Sequence, residues 1–294
     1  MNRPLIFFIA ALLIFGTNGI IASFIPLTSY EIVFFRSLLG SLTLLAVFFL
    51  LQKRITLFRK RKDLILLILS GAMMGASWMF LYEAYQQTGV GISTLIYYCA
   101  PIIVMALAPL LFREKFTAQR VIGFVIVAAG CIILNGGAVI EGIGGFGLFC
   151  GAMSAVTCAV MIILNKKATG VGGLENSLFQ LIFACMTVAI FVAATSGFSF
   201  ITTIQPDTWI WILIIGVFNT GIGCFLYFSS IGKLPVQTVS VVGYLEPLSA
   251  VIFSAIFLQE ILTPLQTVGA ICIIGGAIFA EIGWKKLKSR NPDR

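Results

Sequence analysis

From its first residue the chain alternates long apolar runs with short polar breaks. Ten runs, near 5–25, 30–51, 64–87, 90–111, 118–135, 145–165, 176–196, 208–231, 236–258 and 264–284, approach the roughly 20 residues that a helix needs to cross ~30 Å of hydrocarbon. They lack the period-two alternation of barrel strands, and most connections between them are too short for an extramembrane domain. The predicted fold class is therefore an all-α integral membrane protein with ten transmembrane helices.

Composition agrees with that reading. Of 294 residues 60% are hydrophobic and 10% charged, against roughly 45–50% and 25% in a soluble domain. The basic residues supply orientation. With the amino terminus inside and each span flipping the side, all 19 basic residues except Arg36 fall in inside loops, and both termini are expected in the cytoplasm. The net charge of +8 then reflects topology rather than nucleic-acid binding, with anionic lipid headgroups as a lesser role for the cluster at 53–62. The seven cysteines contain no CxxC and read as small buried hydrophobes; no metal or cofactor is expected. Histidine is absent, which leaves carboxylates as the candidate proton carriers. With no HExxH and no clustered Asp pair, an intramembrane enzyme is not expected. The first run, interrupted by Gly16, Asn18 and Gly19, reads as an uncleaved span.

The chain also repeats itself. A shift of 146 residues lays 90–132 on 236–278 without gaps, matching Tyr98 with Tyr244, Pro101 with Pro247, Glu114 with Glu260, Thr117 with Thr263, Gly123 with Gly269 and Gly130 with Gly276. Earlier, "EIVFFRSLLGSLT" at 31–43 parallels "ENSLFQLIFACMT" at 175–187, and "FLY" at 80–82 recurs at 225–227. Chance likeness between apolar segments does not bring Pro, Glu, Thr and Gly into one register. The expected units are residues 1–138 and 139–294, each of five helices. Five being odd, the second enters the membrane the other way up, as in inverted-repeat transporters.

The repeated residues carry mechanical meaning. Thr117 and Thr263 stand where the fifth and tenth helices begin, and Thr263 with Gln266 forms the pattern of a capping box ahead of Pro264. Glu114 and Glu260 read as boundary charges. Pro101 and Pro247 lie near the centres of helices four and nine, where each removes a backbone donor and frees the carbonyl four residues back, so both are candidate helix breaks. Such a break is tolerable in lipid only where protein or a cavity satisfies it.

With these motifs in place the chain resembles the ten-helix EamA-type permeases of the drug/metabolite transporter superfamily. The likeness spans the whole sequence and is sharpest in "YYCAPIIVMALAPLLFREKFTAQRVIGFVIVAAG" and "GYLEPLSAVIFSAIFLQEILTPLQTVGAICIIGG". It implies two interlocked repeats around a central cavity, helices three, four, eight and nine around a small-molecule substrate, and helices five and ten at the periphery. It further implies alternating access, export as the direction and a prokaryotic cytoplasmic membrane as the location. It does not choose the cargo.

Individual residues narrow the choice. Helix three carries Gly71, Gly75, Trp78, Tyr82 and Tyr85 in one stripe, and helix eight answers with Gly216, Asn219 or Thr220, Gly223 and Tyr227. Tyr82, Tyr85 and Tyr227, near helix ends, read as packing or interfacial residues. Trp78, Tyr97, Tyr98 and Tyr244 lie deeper and are candidate pocket walls, with Asn219 as a polar contact. Glu246 is the one charge between Val236 and Leu258 and must be paired, protonated or facing water. It either makes a fixed hydrogen bond beside Pro247, carries a proton, or grips a cation. Arg36, the one basic residue inside a span, either snorkels outward, pairs with Glu31, Glu83 or Glu246, or receives a substrate carboxylate. If Arg36 and Glu246 share a cavity, one charge of each sign suits an amino acid or related zwitterion. If they do not, Glu246 with tyrosine faces suits amines or quaternary ammonium cations. A sensor or structural subunit without transport is the remaining reading.

Overall fold

A computed structural model describes residues 3–100, 103–104, 107, 111, 118–140, 144–168, 170–171, 173–231, 233–234 and 242–282. Pro101, Glu114 and Thr117 lie outside the described residues. All regular structure within them is helical: α1 (Arg3–Gly16), α2 (Asn18–Ser23), α3 (Ser29–Leu50), α4 (Arg61–Thr88), α5 (Val90–Tyr97), α6 (Ala118–Ile140), α7 (Gly145–Lys167), α8 (Gly173–Thr195), α9 (Thr208–Leu213), a π-helical stretch Ile214–Ile222, α10 (Gly223–Ile231), α11 (Leu245–Phe257) and α12 (Pro264–Ile282). Two short 3₁₀ turns, Leu57–Arg59 and Ser199–Thr203, sit in connections. Six helices among the described residues are long and apolar enough to cross a membrane, from Arg3–Ser23 to Thr208–Tyr227, and shorter apolar helices accompany them. This is a multi-pass helical membrane protein.

The helix ends follow from local chemistry. The Thr28 N–H donates to Glu31 Oε2 at 2.9 Å, closing the start of α3. At the start of α12 the Thr263 N–H donates to Gln266 Oε1 at 2.9 Å and the Gln266 N–H to Thr263 Oγ1 at 3.4 Å, the reciprocal pair of a capping box. Between α4 and α5 the chain turns on Gly89, whose φ of +84° suits glycine.

Helix pairing has a two-fold logic. Let α1 exchange with α7, α3 with α8, α4 with the Ile214–Ile222 and α10 span, α5 with α11, and α6 with α12. The contact of α1 with α10 then becomes that of α7 with α4, and α1 on α11 becomes α7 on α5. Likewise α3 on Ile214–Ile222 becomes α8 on α4, while α3 with α8, α5 with α11 and α6 with α12 map onto themselves. The packing thus carries the symmetry of the sequence repeat. The stripe glycines of helix three serve the α4–α8 contact: a Cβ on Gly71 would lie 2.8 Å from the Gln180 carbonyl oxygen, and one on Gly75 2.9 Å from that of Ala184.

Two sequence expectations need correction. Glu260 is more than a boundary charge: its carboxylate accepts the N–H groups of Val90 and Gly91, each at 3.0 Å, and so caps α5 from the far end of α11. The cysteines are not all isolated hydrophobes either. Cys99 and Cys131 meet sulfur to sulfur, with Cα atoms 7.8 Å apart, while Cys150, Cys158, Cys185, Cys224 and Cys272 are free thiols.

Glu260→Ala strands two backbone donors and removes a charge-assisted contact between the repeats. A loss of about 1–3 kcal/mol is expected, read as a lower Tm of the purified protein, with Glu260→Gln intermediate because its amide oxygen still accepts. An unchanged Tm in Glu260→Ala would contradict the capping role.

Candidate functional site

The described helices leave a cavity of about 210 Å³ in the middle of the bundle. Its walls come from both repeats: Phe15 and Asn18 of the first span, Arg36 of α3, Met74, Trp78, Leu81 and Tyr85 of α4, Thr94, Tyr97 and Tyr98 at the end of α5, Ser177, Gln180 and Leu181 of α8, Cys224 and Tyr227 of α10, and Glu246 and Ala250 of α11. Helices α6, α7 and α12 contribute none of these lining residues.

Helical irregularity clusters around this space. The first span breaks at Thr17, between α1 and α2, next to Asn18. The fourth ends its regular helix at Tyr97 and turns through Tyr98 and Cys99. The eighth runs as a π-helix over Ile214–Ile222, just before Cys224. In the ninth, a turn at Tyr244 precedes α11, whose first turn holds Glu246 and Pro247. Pro247 is tolerated there because a first-turn N–H has no intrahelical acceptor to lose. Glu246 consequently sits at the positive end of α11, where a negative charge is favoured.

Arg36 is 4% exposed and held from three sides. Its Nε donates to Thr220 Oγ1 at 3.3 Å, its Nη1 donates to the Tyr82 hydroxyl, and its guanidinium carbon lies 4.0 Å from the Trp78 ring centroid and 5.0 Å from that of Tyr82. Nη2 has no acceptor among the described residues, and Arg36 lines the cavity. The carboxylates nearest in sequence terms are committed elsewhere: Glu31 to the Thr28 N–H, and Glu83 to Ser29 Oγ at 2.5 Å and Gln87 Nε2 at 3.1 Å. Pairing of Arg36 with Glu31 or Glu83 is therefore corrected. Tyr98 and Glu246 line the same cavity, and the Tyr97 hydroxyl accepts from Cys158 Sγ at 3.3 Å.

Of the residues singled out in the sequence, Arg36, Trp78, Tyr97, Tyr98 and Glu246 line one cavity. Tyr244 and Asn219 do not. Tyr244 is buried in an apolar cluster with Leu95, Val127, Ile273 and Ala277, towards α6 and α12. Asn219 is 0% exposed, and its Nδ2 donates to the Ile14 carbonyl and Thr17 Oγ1, each at 2.9 Å, and to Asn18 Oδ1 at 3.2 Å. It is the polar peg of the first-span break. Tyr85 and Tyr227, read as packing or interfacial, are in the wall instead. Ser177, Gln180, Thr94 and Asn18 were not singled out as site residues. Gln180 carried a signal, since it occupies the repeat position of Arg36. It accepts from Asn165 Nδ2 at 2.7 Å and donates to Ser70 Oγ at 3.2 Å.

The EamA-like transporter family matches residues 2–136 and, a second time, residues 145–281. The chain belongs to the EamA-like transporter family. Among relatives of this EamA-family protein, the uncharacterized transporter YxxF of Bacillus subtilis (strain 168) is 24% identical over 271 residues, covering 91% of this chain and 86% of the relative. The uncharacterized transporter YetK of the same strain is 25% identical over 272 residues, covering 88% and 78%. The uncharacterized inner membrane transporter YhbE of Escherichia coli (strain K12) is 24% identical over 274 residues, covering 86% and 82%. One solved crystal structure superposes with a TM-score of 0.66 over 96% of this chain and 99% of its own, at 15% identity, which speaks to the fold alone. The protein is a membrane transporter.

Asn219→Ala removes the donor that Thr17 Oγ1 and Asn18 Oδ1 accept from, leaves the Ile14 carbonyl to the Thr17 N–H and hydroxyl, and opens a void beside them. A stability loss of about 1–3 kcal/mol is expected, with an unchanged rank order of ligands in a thermal-shift panel. A changed rank order would place Asn219 in ligand contact.

Proposed function

We propose that this EamA-family protein transports an amino acid or a related zwitterion by alternating access around the central cavity, with export as its direction. The observation that carries the proposal is that Arg36 and Glu246, of opposite charge, line the same cavity of about 210 Å³. A guanidinium donates charge-assisted hydrogen bonds to a carboxylate, and a carboxylate at a helix start accepts an ammonium. The volume favours a small metabolite, since drug-sized ligands occupy sites of about 300–1,000 Å³. Glu246 is also the candidate proton carrier, because it is the acid in the cavity wall and the chain has no histidine.

The second reading, an amine or quaternary ammonium cargo, draws on Tyr85, Tyr97, Tyr98 and Tyr227 beside Glu246. Arg36 counts against it, because a cation would share the cavity with a guanidinium that has no ion pair among the described residues.

A thermal-shift panel of amino acids, amines, quaternary ammonium compounds, nucleosides and organic acids separates the two. A ligand at 100 times its Kd adds about 2.7 kcal/mol to the native state. A zwitterion is expected to raise the Tm of the native protein and to lose that effect in Arg36→Gln and in Glu246→Gln. Stabilisation by quaternary ammonium ions but not by zwitterions would favour the second reading. For coupling, an imposed pH gradient across proteoliposomes is expected to drive flux in the native protein and not in Glu246→Gln. Unaltered driven flux in that variant would remove the proton-carrying role.

A further inference from the structure

A second cavity lies at the end of the bundle expected to face the cytoplasm. It measures about 520 Å³ and is bounded by Lys53 and Arg54 just past α3, by Leu174 and Glu175 at the start of α8, and by Phe225 and Lys233 of the eighth span and its exit. Helix α3 ends at Leu50, and Gln52 takes a left-handed conformation with φ of 50°, the turn that commonly stops a helix. That turn brings Lys53 and Arg54 to the pocket.

Three cations thus converge on one space from two different spans, and no acid among the described residues pairs with any of them. The acid in the wall, Glu175, offsets one of the three charges and leaves the cavity net positive, and it makes no ion pair with them among the described residues. Its carboxylate accepts the Thr56 N–H at 2.5 Å, Thr56 Oγ1 at 3.0 Å and the Leu57 N–H at 2.8 Å, pinning the loop after α3. Membrane topology accounts for basic residues in an inside loop, but it does not require them around a common cavity. The pocket also adjoins the central one. Leu174 stands one turn below Ser177, and Phe225 follows Cys224; Leu44, Phe48, Leu178 and Leu181 fill the layer between.

We propose that this pocket is an anion-binding site, for a carboxylate or phosphate group, at the inner mouth of the transport route. Its binding chemistry stands on Lys53, Arg54 and Lys233 alone; its role as the mouth rests on the zwitterion reading above. An anionic group is drawn first to the three cations and meets Arg36 only after the apolar layer parts. The same oxygen chemistry is offered by a soluble anion and by an anionic phospholipid headgroup.

The test uses the purified full chain in neutral detergent, with Tm read against sodium phosphate, sodium succinate or sodium chloride at matched ionic strength. A second arm compares mixed micelles containing phosphatidylglycerol with those containing phosphatidylcholine. Saturable stabilisation by phosphate or succinate is expected. Its apparent affinity should fall about fivefold per cation removed in Lys53→Gln/Lys233→Gln, and stay within about twofold in the charge-matched control Arg59→Gln/Lys62→Gln. The same variant pattern seen with phosphatidylglycerol alone assigns the site to lipid. Three results would overturn the proposal: no saturable response to any probe, equal loss in both double variants, or a response abolished by Arg36→Gln, which places the anion in the central cavity. Because none of these readouts measures transport, failure of the zwitterion reading leaves the anion site standing, and the reverse.

Discussion

Every peptide N–H and C=O within the hydrocarbon layer needs a partner inside the protein, and that constraint governs where this chain is allowed to be irregular. Among the described residues four spans depart from the regular α-helix, at Thr17, at Tyr98, over Ile214–Ile222 and at Tyr244. In each case a residue at or within two positions of the departure lines the central cavity: Asn18, Tyr98 itself, Cys224 and Glu246. The released groups are taken up locally. Ahead of the first break the Ile14 carbonyl accepts from the Thr17 N–H, the Thr17 hydroxyl and Asn219 Nδ2. The π-helical turn, closed in part by Thr220 Oγ1 on the Ile215 carbonyl at 2.8 Å, brings that hydroxyl under Arg36 Nε. Irregular backbone and charged side chains therefore occupy the same layer, and the regular outer pair α6 and α12 stands apart from it.

The repeat supplies a frame, and the cavity breaks its symmetry. Gln180 stands in the second half where Arg36 stands in the first, in a neutral network with Asn165 and Ser70. Ala100 stands in the first half where Glu246 stands in the second, buried against Ala155, Cys158 and Ala159. Each half thus contributes one charge that its counterpart lacks. A cargo bearing both signs would bridge the halves, so its binding energy depends on how they are disposed. That is the differential affinity between states that alternating access requires.

Much of this was legible in the sequence. Run length, the placement of Lys and Arg, and the register of Pro, Glu, Thr and Gly between the halves are local or periodic signals, and they pointed to the membrane class and the repeat. The partners of Arg36 were not legible, because Trp78, Tyr82 and Thr220 come from other spans and nothing in the spacing around Arg36 names them. Tyr244 was misjudged through its equivalence to Tyr98: matching repeat positions share a helix break, yet one ring meets the cavity and the other packs towards α6 and α12. Asn219 was misjudged for a different reason. The stripe from Gly216 to Tyr227 assumed 3.6 residues per turn, whereas the π-helical stretch inserts extra residues and rotates Thr220 towards Arg36 and Asn219 towards the first span.

The central claim is that Arg36 and Glu246 hold opposite ends of one zwitterion. It is tested most directly by the affinities of the native protein, Arg36→Gln and Glu246→Gln for a stabilising amino acid, its amide and its desamino acid. The account predicts that Arg36→Gln weakens the amino acid about tenfold or more while leaving the amide within about twofold, and that Glu246→Gln does the same for the amino acid against the desamino acid. Equal losses for both analogues in both variants, or no loss in either, would contradict it.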